Sequence, residues 1–213
     1  MVAAARKSGG YHHGDLQQAL LDEAERALEA EGIRALTLRS LSRAVGVTHA
    51  APASHFGDLT GLLSVLAARG YRRFAAALAA ALDQAGPTPH ERSVAIGRAY
   101  VGFAAAHPGM FALMFRSERL DRQRPELMDA MIAAGRILRG IVVTRPSGEG
   151  MPMPAVAARM AALWSLAHGY AVLMLDGRLD PLLAGLPGRP SAASFFDEVL
   201  DGVALLHPGE KPP

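Results

Sequence analysis

The stretch LTLRSLSRAVGVTHAAPASHF, Leu36 to Phe56, decides how this chain is read. It holds a short helical pattern, a Gly-Val turn and a second short helical pattern. That is the order of a helix-turn-helix, whose second helix enters the major groove of DNA. Thr37 is placed to cap the first helix, and Leu38, Leu41 and Val45 recur at helical spacing on its inner side. Gly46 falls where the chain must turn sharply, which Gly does at positive φ without steric cost. Val47 is expected to plug the angle between the helices, Thr48 to cap the second, and Phe56 to close it as a bulky anchor. Pro52 is tolerated there only in the first turn, where a missing N–H costs little, so the second helix is expected to begin at Thr48 or later. Exposed candidates on this reader are Thr48, His49, Ala50, Ser54 and His55, with Arg39 and Arg43 as phosphate contacts. A packing role beside Phe56 competes for His55, and a solvated face competes for the two arginines.

Outward from this stretch the pattern is helical. Residues 1–10 are small and polar; Arg6 and Lys7 form either an arm over DNA or a solvated tail. Asp15, with Gln18 three residues on, reads as a capping box opening a helix over 16–31. Leu16, Ala19, Leu20, Ala24, Ala27 and Leu28 make its inner stripe, and Asp22, Glu23, Glu25, Glu29 and Glu31 an acidic outer face unsuited to DNA. Asp58 or Thr60 caps a helix running to about Gln84, roughly 37 Å long at 1.5 Å per residue, and Gly86 to Pro89 ends it. Further helices are expected over 90–106, 109–116 and 125–143. Thr144 to Pro154 reads as a flexible linker, followed by a helix over 155–175 and a Gly/Pro-rich loop from Leu182 to Pro190. A last helix, capped by Ser191 or Ser194, runs to about His207.

Composition narrows the function. A chain of 213 residues, 50% hydrophobic, can bury one or two small cores, and a net charge of +2 leaves any basic footprint local. The absence of Cys excludes disulfides and thiolate chemistry. The N-terminus has no apolar signal region, and the apolar run from Ala161 to Leu175 contains His168 and falls short of the roughly 20 residues a spanning helix needs. A cytoplasmic protein with no membrane partner is therefore expected. No nucleophile–base pair or phosphate-cradling loop stands out, so no enzyme and no catalytic residue are expected. His12, His13 and Asp15 are the one cluster that hints at a metal, but capping is the better use of Asp15; neither metal nor cofactor is expected.

From Tyr11 to Leu63, the long first helix ending at Gly32-Ile33, the Leu-Thr-Leu-Arg run, Val45-Gly46-Val47 and His55-Phe56 resemble the N-terminal domain of the tetracycline-repressor (TetR) family. Downstream, Trp164, His168 and Gly169 in LWSLAHGYAVLMLDGRL are similar to a TetR subgroup with a Trp-His-Gly signature in its effector domain. The resemblance implies an all-α fold: an N-terminal three-helix bundle with helix-turn-helix over 11–71, and a C-terminal helical ligand-binding and dimerisation domain over 75–207. It further implies a homodimer on a double-stranded DNA operator, released by a small apolar or amphipathic ligand. It places Thr48, His49, Ser54 and His55 near bases and phosphates. The subgroup usually carries an aromatic residue at Ala53 and a basic one at Ser54, and the family a lysine at Leu59. Those departures keep open an alternative, a ligand-binding or interaction protein on this scaffold with weakened DNA binding.

The C-terminal part carries two further expectations. Soft residues concentrate at Met110, Phe111, Leu113, Met114 and Phe115, and Met adapts its shape to varied surfaces. An apolar effector pocket is expected among Phe103, Met110, Phe111, Met114, Met131, Trp164 and His168, against the plainer reading of an ordinary core with a neutral, hydrogen-bonded His168. Ala161, Ser165 and Gly169, four residues apart, form a small-residue seam that admits a second helix. Met160, Leu163, Ala167, Tyr170 and Met174 are expected to face the core. With the seam, Phe196, Val199 and Val203 of the last helix complete the dimer interface that the resemblance implies.

Overall fold

After the first helix, the helices begin where a side chain or a first-turn proline accounts for amides that the helix itself leaves free. The computed structural model describes residues 13–143 and 152–205, and among them ten α-helices, one 3₁₀ turn and no strand. The all-α class expected from the sequence is the one observed. The N-terminal arm with Arg6 and Lys7, His12, most of the 144–154 linker and His207 lie outside the described residues.

Helix α1 spans His13–Glu31. Asp15 lies inside its first turn rather than capping it, where its charge still complements the helix dipole. Gln18 donates to Asp22 at 3.0 Å instead of closing a capping box. The acidic face of α1 is also not simply an outer one. Asp22 and Glu25 take the guanidinium of Arg69, at 2.6 and 3.1 Å, and Glu25 also pairs with Arg73. The long arginines of the fourth helix reach across a second flank of α1, which sequence periodicity treats as solvent.

After a 3₁₀ turn at Ile33–Ala35, α2 covers Leu38–Val45. Thr37 Oγ1 accepts from the Ser40 amide at 3.0 Å while Ser40 Oγ accepts from the Thr37 amide at 3.2 Å. Gly46 ends α2 at φ 77°, the left-handed conformation expected there. Helix α3, Ala51–Phe56, starts later than a Thr48 cap would place it. Only the Thr48 carbonyl takes part, accepting from the Ala51 amide at 3.1 Å, because Thr48 to Ala50 form a turn ahead of the helix. Pro52 sits buried in the first helical turn, as its chemistry requires.

Helix α4, Leu59–Gln84, is capped by Asp58, whose Oδ1 accepts from the Gly61 amide at 2.8 Å. Helix α5, Pro89–Ala106, opens with a Thr88–Glu91 capping box, and α6, Pro108–Arg116, follows a single residue later. Helices α7, Pro125–Val143, and α8, Met153–Leu175, complete the long elements. The expected loop from Leu182 is preceded and entered by a helical turn, α9, Asp180–Ala184, with Pro181 in its first turn and Leu183 buried. Helix α10, Ala192–Leu205, is capped by Ser191, whose Oγ accepts from the Ser194 amide at 3.1 Å.

The core runs unbroken from Leu20 in α1 to Phe196 in α10. Helix α4 is its spine: it packs on α3 at one end and on α5, α6 and α7 along its length, while α5 packs on α8 and α10. Among the described residues no helix is long and apolar enough to cross a membrane. The start of α4 is tight. A Cβ on Gly61 would lie 1.9 Å from the Phe56 carbonyl oxygen, so α3 and α4 approach only because that atom is missing. Gly61→Ala should therefore destabilise the chain by about 1–3 kcal/mol or more. Gly102→Ala, where a Cβ meets nothing within 4 Å, should be neutral or stabilising by up to about 1 kcal/mol. Urea midpoints of the two variants check the contrast.

Candidate nucleic-acid interface and effector site

The α2–α3 unit presents its polar side chains outward because its apolar ones are consumed by the core. Leu41, Pro52 and Phe56 are buried, and Arg39, Arg43, Thr48, His49, Ala50, Ala53 and Ser54 are exposed. Ser54 Oγ donates to the Ala51 carbonyl at 2.8 Å, so its hydroxyl is already engaged by its own helix. His55 is half-buried, its ring tilted 54° against that of Phe56 at 6.2 Å. Of the candidate readers, Thr48 and His49 are exposed on the turn and Ser54 on the helix, while His55 is half-buried.

The second site is aromatic. Phe74 of α4 makes edge-to-face contacts with Tyr100 at 5.0 Å, Phe103 at 5.2 Å and Phe115 at 6.0 Å, an arrangement favoured by ring quadrupoles. His168 of α8 closes the group, stacking on Phe111 at 5.5 Å and 27°. A hydrogen-bonded chain runs through it. Trp164 Nε1 donates to Tyr100 Oη at 3.1 Å, and Tyr100 Oη lies 2.9 Å from His168 Nδ1. Indole is a donor only, so Tyr100 Oη accepts from Trp164 and shares its remaining hydrogen-bonding capacity with His168 Nδ1. Burial, and secondarily the nearby Arg116, push the His168 pKa below its ordinary value. Burial likewise pushes the Tyr100 hydroxyl well up. Both shifts keep the chain neutral. Arg116 itself is paired with Asp176 at 2.8 Å.

The expected pocket residues divide. Phe103, Phe111, Trp164 and His168 are brought together with Phe74 and Tyr100, but Phe103, Met110, Phe111 and Met114 are buried in close-packed core rather than around an open chamber. Met131 is half-buried on α7. The sulfurs of Met110 and Met114 lie where a Cβ on Gly70 of α4 would be, at 2.6 and 2.7 Å. A small cleft of about 50 Å³ opens instead between α5, α7, α8 and α10, lined among others by Ile96, Tyr100, Leu138, Trp164 and Phe196. Ligand sites commonly hold about 300–1,000 Å³, so a ligand here must widen the cleft. Sequence reading missed Tyr100, the centre of this chain; its only signal was a lone Tyr in an apolar stripe.

Helix α8 leaves an apolar face uncovered. Ala161 and Ser165 are exposed, and a Cβ on Gly169 would meet nothing within 4 Å. Leu163, expected in the core, is 37% exposed, and Trp164, which flanks the seam, is 51% exposed. Phe196 goes the other way. It is buried inside the protomer at 1% exposure, against Tyr170 at 4.7 Å and in the space Gly97 leaves, because the stripe of α10 that carries it packs on α5 and α8. Val199 and Val203 are half-buried. Among the described residues no group of three His, Asp or Glu side chains is placed to hold a metal ion.

Residues 93–203 match the sequence profile of a family described as "Tetracyclin repressor-like, C-terminal domain". The chain is 33% identical to a protein of unknown function from Rhodococcus sp. RHA1, over 92% of this chain and 98% of that one, with a TM-score of 0.73. It shares its fold with a putative TetR-family transcription regulator from Shewanella sp. PV-4, at 15% identity, 88% and 97% coverage and a TM-score of 0.63. It also shares it with the transcriptional regulator FadR of Bacillus subtilis in complex with stearoyl-CoA, at 13% identity, 86% and 95% coverage and a TM-score of 0.64. No curated protein matches the chain.

The lowered His168 pKa gives a signed pH dependence. The folded state holds the ring neutral, so on acidification the unfolded chain takes up the proton first. The stability this group contributes is complete above the ordinary value of about 6.5 and is lost as pH falls from there through the lowered folded value. His168→Gln should flatten this component, read as a smaller drop in urea midpoint between about pH 7.5 and about pH 5.5 than in the parent chain.

Proposed function

The chain belongs to the tetracycline-repressor-like (TetR) family of regulators, and on that premise we propose that it is a ligand-released repressor binding a palindromic operator in double-stranded DNA as a homodimer. The observation that carries this reading is the α2–α3 pair, with α2 capped by Thr37, whose polar side chains Arg39, Thr48, His49 and Ser54 are exposed while Leu41, Pro52 and Phe56 are buried. We assign DNA binding to 11–71, effector binding and dimerisation to 75–207, and Trp164, His168 and Gly169 to the Trp-His-Gly subgroup. A six-residue reader helix covers few bases, whereas a twofold pair reads two half-sites. The uncovered seam of α8, Ala161, Ser165 and Gly169 with Trp164 beside it, is the face we assign to the partner copy, with Val199 and Val203 at its edge.

The ligand class follows from the walls of the cleft, which are apolar except for Ser93 and the polar atoms of Tyr100 and Trp164. A small apolar or amphipathic molecule suits it, and the stearoyl-CoA held by the Bacillus FadR protein is of that kind. Release is then linkage: the ligand prefers a domain arrangement whose reader helices no longer fit the half-site spacing, and a coupling of about 1–3 kcal/mol changes operator affinity some 5–150-fold. No catalytic role, metal or cofactor enters this reading, and a cytoplasmic location suits it. A second reading, a ligand-binding protein with weakened DNA affinity, is favoured by the exposed Ala53, by the engaged Ser54 hydroxyl and by the partly buried, uncharged Leu59.

Selection of random duplex DNA by the purified chain separates the two. The repressor reading expects a palindromic consensus whose log affinity falls with log salt by about 0.9 per phosphate neutralised, and Arg39→Ala should reduce that slope by about 0.9. No enrichment at low salt would favour the second reading. Independently, Ser165→Glu sets like charges against each other across a twofold seam. It should leave helix content unchanged while lowering the sedimenting mass from twice the 22.4 kDa chain mass to one copy. A dimer that survives the substitution removes α8 from the interface.

A further inference from the structure

Helix α6 is nine residues long and carries no side-chain cap of its own. Its free amides are few and fully accounted for. Pro108 has no N–H, and the Phe111 amide bonds the His107 carbonyl at 2.8 Å. The remaining two are taken by one carboxylate from the far end of the chain: Gly109 donates to Glu29 Oε2 at 2.8 Å and Met110 to Glu29 Oε1 at 2.9 Å. Glu29 belongs to α1, the helix that packs directly on α2 and α3. The approach is close enough that a Cβ on Gly109 would lie 2.7 Å from the Leu28 carbonyl oxygen and 2.9 Å from Glu29 Oε2.

The opposite side of α6 belongs to the aromatic site. Phe111 follows Met110 directly and carries the stacked ring of His168, which receives Tyr100 and, through it, Trp164. We propose that the double cap of Glu29 on Gly109 and Met110 is the joint by which the state of the Trp164–Tyr100–His168 site is felt by the reader, with α6 as the rigid piece between them. This rests on the regulator reading above and adds the residue through which regulation passes. A ligand that displaces His168 moves Phe111, and α6 cannot shift without losing either the two amide bonds to Glu29 or its hold on α1. A coupling element needs two discrete arrangements, and on this proposal they are the amides held by the carboxylate, as seen here, and the amides released. Helix α4 gives a second connection, but it is continuous covalent backbone and is left untouched by changes at Glu29.

The test uses the full chain and two different disturbances of the one joint. Glu29→Gln keeps an oxygen for one amide and turns an NH₂ toward the other, so one bond is lost with little change in volume. Gly109→Ala keeps the carboxylate and wedges α6 away from α1, in a residue that otherwise favours helix. Amide hydrogen exchange should quicken by about fivefold or more both at 108–112 and at 37–56 in each variant, with 62–74 of α4 unchanged. On duplex DNA selected by the parent chain, both variants should bind about fivefold more weakly, the lower end of ordinary coupling. Quickened exchange confined to 108–112 with DNA affinity unchanged would overturn the proposal, because Glu29 would then be a local cap only. If the parent chain selects no DNA, the regulator reading fails, while exchange at 37–56 still decides whether the joint exists.

Discussion

The edge-to-face packing of Phe74 against Tyr100, Phe103 and Phe115 is the contact on which the arrangement of this molecule depends. Phe74 stands on α4, which begins against α3 and ends beside α5. Each of the three rings it meets comes from α5 or α6, so one buried side chain sets the angle between the helix that carries α3 and the helices that enclose the aromatic site. Aromatic pairs of this kind contribute about 0.5–1.5 kcal/mol each beyond the area they bury, and their geometry is directional in a way that aliphatic packing is not. A cluster of Leu in the same place would hold α4 as firmly but would specify its rotation less.

The polar chain inside this cluster follows the same logic. A buried tyrosine and imidazole are costly unless satisfied, and here each satisfies the other, with Trp164 as the outer donor. One end of the chain has a fixed direction, because indole only donates. Protonating His168 would make Nδ1 a donor, so the Tyr100 oxygen would accept from both His168 and Trp164 and its own proton would need another acceptor. Burial of the imidazole favours its neutral form. Trp164 is half-exposed on the uncovered face of α8, so whatever lies against that face touches the outer end of the chain.

Much of this was legible in the residues. Thr37, Gly46 and Pro52 announce the ends of α2 and the first turn of α3 through backbone chemistry that is local and therefore readable. Helix α4 from Leu59 to Gln84, and the apolar stripes of the later helices, follow from periodicity. What failed was the partner of each polar face. Glu25 and Glu29 read as solvent-exposed acids because nothing in α1 tells that Arg69, Arg73 and the α6 amides lie opposite. Phe196 and Leu163 exchanged places, one buried in the protomer and one exposed, because a helix contacted on two sides has no unique inner stripe. The Thr48 cap failed for a narrower reason: the turn is two residues longer than the minimum, and the Thr48 carbonyl, not its side chain, meets the first helical amide.

Helix α3 itself shows why its placement must be borrowed. At six residues, with no side-chain cap, α3 is far below the length at which a helix persists alone in water. Its conformation is held by Pro52 and Phe56 in the core and by the missing Cβ of Gly61 beneath its last carbonyl. Every one of these anchors belongs to, or rests on, α1 and α4. A force that tilts either helix therefore carries α3 with it as a unit, since α3 has no independent stability with which to resist. The weakness of the element that faces outward and the rigidity of the two helices beneath it are parts of one arrangement, in which the surface of Arg39, Thr48, His49 and Ser54 is positioned from below.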